Sequence, residues 1–176
     1  MPKTKSPVKI LLVDDKPANL LTLEAVLESL GVELIRANSG EEALRHLTHE
    51  DFAVVLMDIR MPDMDGFETA LSIRQRDPGR NIPIIFLTAA QGSDAEKAQA
   101  YAVGAIDYLL KPYVPSELRT KVSILSGLFQ KNEELRAQVD KLQRITWKLD
   151  TENLILKAEM NHGSQTGRII SSVLKG

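Results

Sequence analysis

The sequence predicts an α/β fold, a doubly wound sheet of five parallel strands followed by a long C-terminal helix. Three observations predict it. Short apolar runs alternate with segments of helical spacing from residue 8 to about residue 126. The runs are mostly apolar, as in strands that are buried on both faces. Beyond residue 117 no further strand-like run occurs, and leucine recurs at every seventh position.

The predicted elements follow a (βα)5 order. The strands are expected at Val8–Val13, Val32–Arg36, Ala53–Met57, Ile82–Leu87 and Ala105–Leu109. The helices between them are expected at Pro17–Leu30, Glu41–His49, Phe67–Arg76 and Ser93–Tyr101, and a fifth helix begins near Pro115. Gly31 is a typical C-terminal stop, and Ser39 with Glu42 forms a capping box. Such sheets bind ligands beyond the carboxyl ends of their strands, where the strand order reverses.

The long helix carries a leucine repeat that is typical of a coiled coil. If the leucines occupy d positions, the a and d seam consists of Leu125, Leu128, Asn132, Leu135, Val139, Leu142, Thr146, Leu149, Asn153 and Leu156, with Met160 at the next a position. Because a buried asparagine at position a favours a parallel dimer, a homodimer is expected. The alternative is an amphipathic helix that folds back on its own α/β domain.

These patterns predict four parts of the chain. Residues 1–7 form an N-terminal tail and residues 8–126 the α/β domain. Residues 127–161 form a coiled-coil helix continuous with the fifth helix of that domain. Residues 162–176 form a tail or the truncated start of an effector, and the helix is expected to end or fray near Gly163 and Gly167.

Composition restricts the function classes. A net charge of -2 gives no electrostatic pull toward nucleic acid. A basic-zipper factor would need a basic helix directly before the leucine repeat, where the α/β domain stands. Cysteine is absent, and no apolar run is long enough to span a bilayer, so a cytoplasmic protein without disulfides or a membrane anchor is expected.

Carboxylates follow two of the predicted strands. Asp14 and Asp15 come after the first strand and Asp58 after the third, so they should meet at one edge of the sheet. Three neighbouring carboxylates need a cation, and an all-oxygen ligand set favours Mg²⁺, with Mn²⁺ as a possible substitute. Thr88 and Lys111, after the fourth and fifth strands, add a hydroxyl and a positive charge. The set predicts a phosphoryl site with a carboxylate nucleophile.

The same residues carry a family resemblance. The pair Asp14–Asp15, Asp58 in LMDIRMPDMDG, Thr88 in FLTA, and Tyr108 with Lys111–Pro112 in DYLLKP resemble the receiver domains of two-component response regulators, which have a flavodoxin-like fold.

The resemblance implies that Asp58 accepts a phosphoryl group from a histidine kinase or phosphotransfer protein. Asp14, Asp15, Asp58 and the backbone carbonyl of Arg60 would hold Mg²⁺. Thr88 and Lys111 would contact the phosphoryl group, with small Ala89 leaving the site open. Tyr108 would act with Thr88 as the conformational switch, and the Lys111–Pro112 peptide bond would be cis.

Simpler interpretations stay open. Asp58 alone is typical of a turn, Tyr108 of a half-buried aromatic on an edge strand, and Asp63 and Asp65 of the turn before Gly66. No separate catalytic output domain is recognised, so the downstream effector would be another protein. The sequence around His162 partly resembles the phosphoacceptor helix of histidine kinases, so the chain could instead be the regulatory part of a receiver-containing kinase. A structural adaptor without phosphotransfer is a third hypothesis.

Overall fold

The computed structural model describes residues 7–76, 81–89 and 93–175. It divides into two compact units, with the boundary between Gln130 and Lys131. The strands are β1 (Lys9–Val13), β2 (Glu33–Ala37), β3 (Val54–Asp58), β4 (Ile84–Ala89) and β5 (Asp107–Lys111). The helices are α1 (Pro17–Leu27), α2 (Gly40–His49), α3 (Gly66–Arg76), α4 (Asp94–Ala102) and α5 (Pro115–Val173), and a 3-10 turn at Glu28–Leu30 follows α1.

The five strands form one parallel sheet in the order β2-β1-β3-β4-β5. The chain order reverses between β1 and β3, so the switch point lies at the carboxyl ends of these two strands. β2 and β5 are the edge strands. The predicted five-stranded, doubly wound parallel sheet is therefore confirmed.

Alternating side chains of the buried strands separate two cores. Leu11 and Met57 belong to a core that includes Phe67 of α3 and Ala100 of α4. The residues between them on each strand, such as Leu12, belong to the opposite core, to which α1 contributes Leu20, Leu23 and Leu27 and α5 contributes Leu118 and Val122. Helices α2, α3 and α4 thus cover one face of the sheet, and α1 and α5 cover the other.

Two residues that were predicted to mark helix ends do so in the structure. Gly31 ends the turn after α1 in the left-handed conformation, at φ 64°. Ser39 accepts a hydrogen bond from the backbone N–H of Glu42 at 3.1 Å and so caps α2.

The predicted bounds of β5 are wrong by two residues. Ala105 and Ile106 were assigned to the strand because they are apolar, but Ala105 lies in the turn after α4, where its N–H donates to the carbonyl of Ala100. At the other end the ladder continues past the apolar residues until Lys111 pairs with Ala89. β3 and β4 likewise extend beyond their predicted ends, to Asp58 and Ala89. Polar site residues are therefore parts of the strands.

The second unit consists of the continuation of α5. The expectation that the helix ends near Gly163 is wrong, because α5 runs through Gly163 and Gly167 to Val173. A helical glycine costs about 1 kcal/mol relative to alanine, which a long helix tolerates. Most seam residues are exposed, including Leu128, Asn132, Leu135, Val139, Leu142, Thr146, Leu149, Asn153 and Leu156. No helix in the described parts of the chain is long and apolar enough to cross a membrane.

The first residue of the assigned seam differs from the others. Leu125 is half-buried and packs against the core beneath α1 and α5. The exposed part of the leucine seam therefore begins at Leu128.

Candidate functional site

Three carboxylates meet at the carboxyl end of the sheet. Asp14 directly follows β1, and Asp58 is the last residue of β3. Asp14 and Asp58 are buried, Asp15 is half-buried, and one oxygen of each lies within 4.8 Å of the other two. The clustering arises from the topology, because β1 and β3 are parallel neighbours on either side of the switch point.

The orientation of Asp14 is fixed by hydrogen bonds from α1 and the residue before it. The backbone N–H of Lys16 donates to Asp14 Oδ1 at 2.9 Å. The Asn19 amide donates to both carboxylate oxygens, at 3.1 Å and 2.9 Å. Asn19 is not among the site residues predicted from the sequence. The spacing of five residues from Asp14, which spans the turn into α1, is the signal that could have pointed to it.

Lys111 supplies the positive charge of the site. Its Nζ atom lies 3.0 Å from Asp14 Oδ2 and 3.3 Å from Asp58 Oδ1. Burial raises the pKa of the Asp58 carboxyl; Lys111 opposes this rise, whereas the negative charges of Asp14 and Asp15 add to it. Burial alone would lower the pKa of Lys111, but the two carboxylates outweigh burial and raise it. Lys111 therefore stays positively charged, while the negative charge on Asp58 is only partly compensated.

Two hydroxyl groups, those of Thr88 and Tyr108, are buried without a hydrogen-bond partner among the described residues. Thr88 lies next to the end of β4, one position beyond the residue that pairs with Asp58. Its Oγ1 atom and the Tyr108 hydroxyl are both buried and lack hydrogen bonds. Tyr108 is on edge strand β5, yet only 8% of its surface is exposed. Since a buried hydroxyl without a partner is costly, both groups are poised to bond an additional acceptor.

The loop from β3 to α3 approaches Asp58 closely. The N–H of Gly66 donates to the carbonyl of Ile59 at 2.8 Å. A Cβ atom at Gly66 would lie 2.4 Å from the carbonyl oxygen of Asp58, so this position requires glycine. Asp63 adopts φ 66°, and Asp65 caps α3 by accepting from the Glu68 N–H at 2.8 Å.

The remaining predicted site residues lie at separate positions along the chain. Arg60 is two residues beyond Asp58, and exposed Ala89 ends β4 beside Lys111. The Lys111–Pro112 peptide bond is cis. His162 is exposed in the second unit.

The residues present fit a divalent cation. The three carboxylates provide an all-oxygen ligand set, which hard ions such as Mg²⁺ prefer. Asp15 Oδ1 is buried and has no partner among the described residues, so it is available as a ligand. Neither histidine nor cysteine belongs to this cluster, which makes zinc a poorer match.

The sequence matches the response regulator receiver domain family over residues 10–123. The curated relatives include the sensor protein GacS of Pseudomonas syringae, which is 35% identical over 145 residues, covering 81% of this chain and 16% of the relative. The response regulator Rre1 of Synechocystis is 34% identical over 140 residues, covering 79% of this chain and 60% of the relative. The chain thus spans less than two thirds of either relative.

Solved structures agree with the family match. A response regulator from Chloroflexus aurantiacus superimposes with a TM-score of 0.64 at 36% identity, covering 69% of this chain and 99% of the other. The receiver domain of the sensor histidine kinase PA1611 from Pseudomonas aeruginosa gives a TM-score of 0.62 at 34% identity, with the same coverage of both chains. That receiver domain was solved with a magnesium ion coordinated in its active-site cleft.

Proposed function

Because the chain belongs to the response regulator receiver family, we propose that Asp58 accepts a phosphoryl group from the phosphohistidine of a histidine kinase or phosphotransfer protein. The observation that carries the proposal is the convergence of Asp14, Asp15, Asp58 and Lys111 at one end of the sheet. A carboxylate that is only partly neutralised, next to a half-buried cation, suits a nucleophile for phosphoryl transfer.

The chemical step is an in-line displacement at phosphorus. An Asp58 carboxylate oxygen forms a bond to phosphorus while the phosphorus–nitrogen bond of the donor histidine breaks, and the imidazole leaves with the bonding electrons. Lys111, already 3.3 Å from Asp58, stabilises the negative charge on the transferred group. The Thr88 hydroxyl, which has no hydrogen-bond partner among the described residues, donates to a phosphoryl oxygen.

Asp14, Asp15, Asp58 and the backbone carbonyl of Arg60 would hold Mg²⁺, and Mn²⁺ is a possible substitute. When bound, the ion neutralises charge on the phosphoryl oxygens. Asn19 keeps Asp14 oriented for this role through its two hydrogen bonds.

The leucine seam supports a homodimer as the second part of the proposal. Leu128, Leu135, Leu142, Leu149 and Leu156 are all about half exposed, from 48% to 62%. Exposure of five leucines at heptad spacing is unfavourable in water. A second copy of the helix, aligned in parallel, would bury these leucines and pair Asn132 and Asn153 with the same residues of the other copy. The whole function that we propose is that of a cytoplasmic receiver, which signals to a downstream protein through this dimer and does not bind nucleic acid.

Phosphorylation by acetyl phosphate in Mg²⁺ tests the assignment of Asp58. Intact mass should show one added phosphoryl group on the wild type and none on Asp58→Asn, which keeps the shape of the side chain but lacks the nucleophile. Asp63→Asn is the matched control, because it removes a carboxylate from the adjacent loop and should leave phosphorylation intact. Modification of Asp58→Asn at the wild-type rate would refute the assignment, and failure of the wild type to react would favour the structural adaptor.

A second candidate function is the regulatory part of a receiver-containing histidine kinase, with His162 as the phosphoacceptor. Sensor kinases among the relatives favour it. A supplied kinase domain should then phosphorylate the wild type on histidine and leave His162→Gln unmodified. Equal labelling of Asp58 in both proteins, without phosphohistidine, would eliminate this candidate.

A further inference from the structure

An ion pair connects the β3–α3 loop with the beginning of α4. Arg60 Nη2 lies 4.0 Å from Glu96 Oε2. Glu96 is the third residue of α4, and its N–H donates to the capping Ser93 Oγ at 3.2 Å. The Glu96 side chain is 15% exposed, whereas that of Arg60 is 58% exposed. The backbone of Glu96 is therefore fixed at the start of α4, and the more exposed Arg60 side chain is the partner with more freedom to move.

A phosphoryl group on Asp58 would compete for the same guanidinium. Asp58 is two residues from Arg60, and phosphorylation adds between one and two negative charges there, with oxygens that a planar guanidinium binds in bidentate fashion. The exposed ion pair with Glu96 is weak, because solvent screens it. The phosphoryl group therefore binds the Arg60 guanidinium more strongly than Glu96 does, and it is present only after phosphorylation.

We propose that Arg60 exchanges its ion pair with Glu96 for one with the phosphoryl group on Asp58. This inference rests on the proposed phosphorylation of Asp58. It makes Arg60 and Glu96 positioning residues that link the charge at the end of β3 to the first turn of α4. Their influence on phosphoryl binding should be mutually dependent, because Glu96 acts by withholding Arg60.

A double-mutant cycle tests this dependence. The affinity of the full chain for beryllofluoride, a phosphoryl mimic, would be measured in Mg²⁺ by fluorine NMR for the wild type, Arg60→Gln, Glu96→Gln and the double variant. Both side chains reach the surface, and Arg60→Gln keeps the backbone carbonyl. Removing the competitor in Glu96→Gln should tighten binding about two- to fivefold, the range expected for an exposed ion pair. In the Arg60→Gln background, which itself weakens binding, the same change should have no effect.

One further variant separates the exchange from simpler effects. Asp94→Asn removes a charge from the same first turn of α4 and should leave the affinity unchanged. An equal effect of Glu96→Gln with and without Arg60, or equal effects of Glu96→Gln and Asp94→Asn, would refute the exchange while leaving Asp58 as phosphoacceptor. Absence of beryllofluoride binding by the wild type would refute the proposed function and this inference with it.

Discussion

Replacement of Gly66 by alanine should destabilise the receiver unit by about 1–2 kcal/mol. The added Cβ would lie 2.4 Å from the carbonyl oxygen of Asp58 and 2.8 Å from Cα of Ile59. Because ordinary contacts begin near 3.5 Å, the loop or the end of β3 must move by about 1 Å. Such overpacking typically costs about 1–3 kcal/mol. The greater helix propensity of alanine in α3 offsets roughly 0.5–1 kcal/mol of this cost, which leaves a net loss centred on about 1–2 kcal/mol.

Urea unfolding followed by far-ultraviolet circular dichroism measures this change. All proteins should be compared at one concentration, because association would add to the apparent stability. Gly127→Ala is the matched control: it also lies in a helix, α5, but no heavy atom beyond its own helix turn and chain neighbours lies within 4 Å of the new Cβ. It should be neutral or stabilising by up to about 1 kcal/mol. A Gly66→Ala protein as stable as Gly127→Ala would refute the argument that close approach to Asp58 requires glycine.

Three other predictions concern the site, the seam and the surface. Asn19→Ala should weaken Mg²⁺ binding about tenfold in calorimetry, because Asp14 loses two orienting hydrogen bonds; unchanged affinity would show that Lys16 suffices. Leu135 and Leu142 replaced together by glutamine should give a monomer in sedimentation, whereas Leu21→Gln on the exposed face of α1 should not; a persisting dimer would contradict the seam. The hydrogen bond from Arg36 lowers the pKa of Glu24 below its usual value of 4.5. The stabilisation by this ion pair is therefore present above pH 4.5 and is lost as the pH falls. Glu24→Gln should flatten the acid limb of a curve of unfolding free energy against pH.

The sequence was sufficient for the order of the elements because buried parallel strands and amphipathic helices have different periodicities. Leu20, Leu23 and Leu27 were visible as one helical face, and they are the residues that α1 buries. Strand ends were harder to predict. The apolar run in the sequence ends at its last hydrophobic residue, whereas hydrogen bonds between the strands extend β3 to Asp58 and β5 to Lys111.

Interactions between side chains distant in sequence could not be predicted in the same way. No local pattern pairs Arg60 with Glu96, because their contact depends on how α4 packs beside the β3–α3 loop. Asn19 was missed because an asparagine in a first helical turn is common. The end of the long helix was misplaced at Gly163, since a glycine lowers helix propensity without forbidding the conformation.

The strand order also has a consequence for solubility. Among the described residues no further strand pairs with the outer edge of β2 or β5, and such edges can recruit strands from other molecules and start aggregation. Charged residues occur on both edges, Glu33 and Arg36 on β2 and Asp107 and Lys111 on β5. A strand from another copy that added to either edge would have to pack beside these charges. These charges therefore disfavour edge-to-edge association of sheets at high protein concentration.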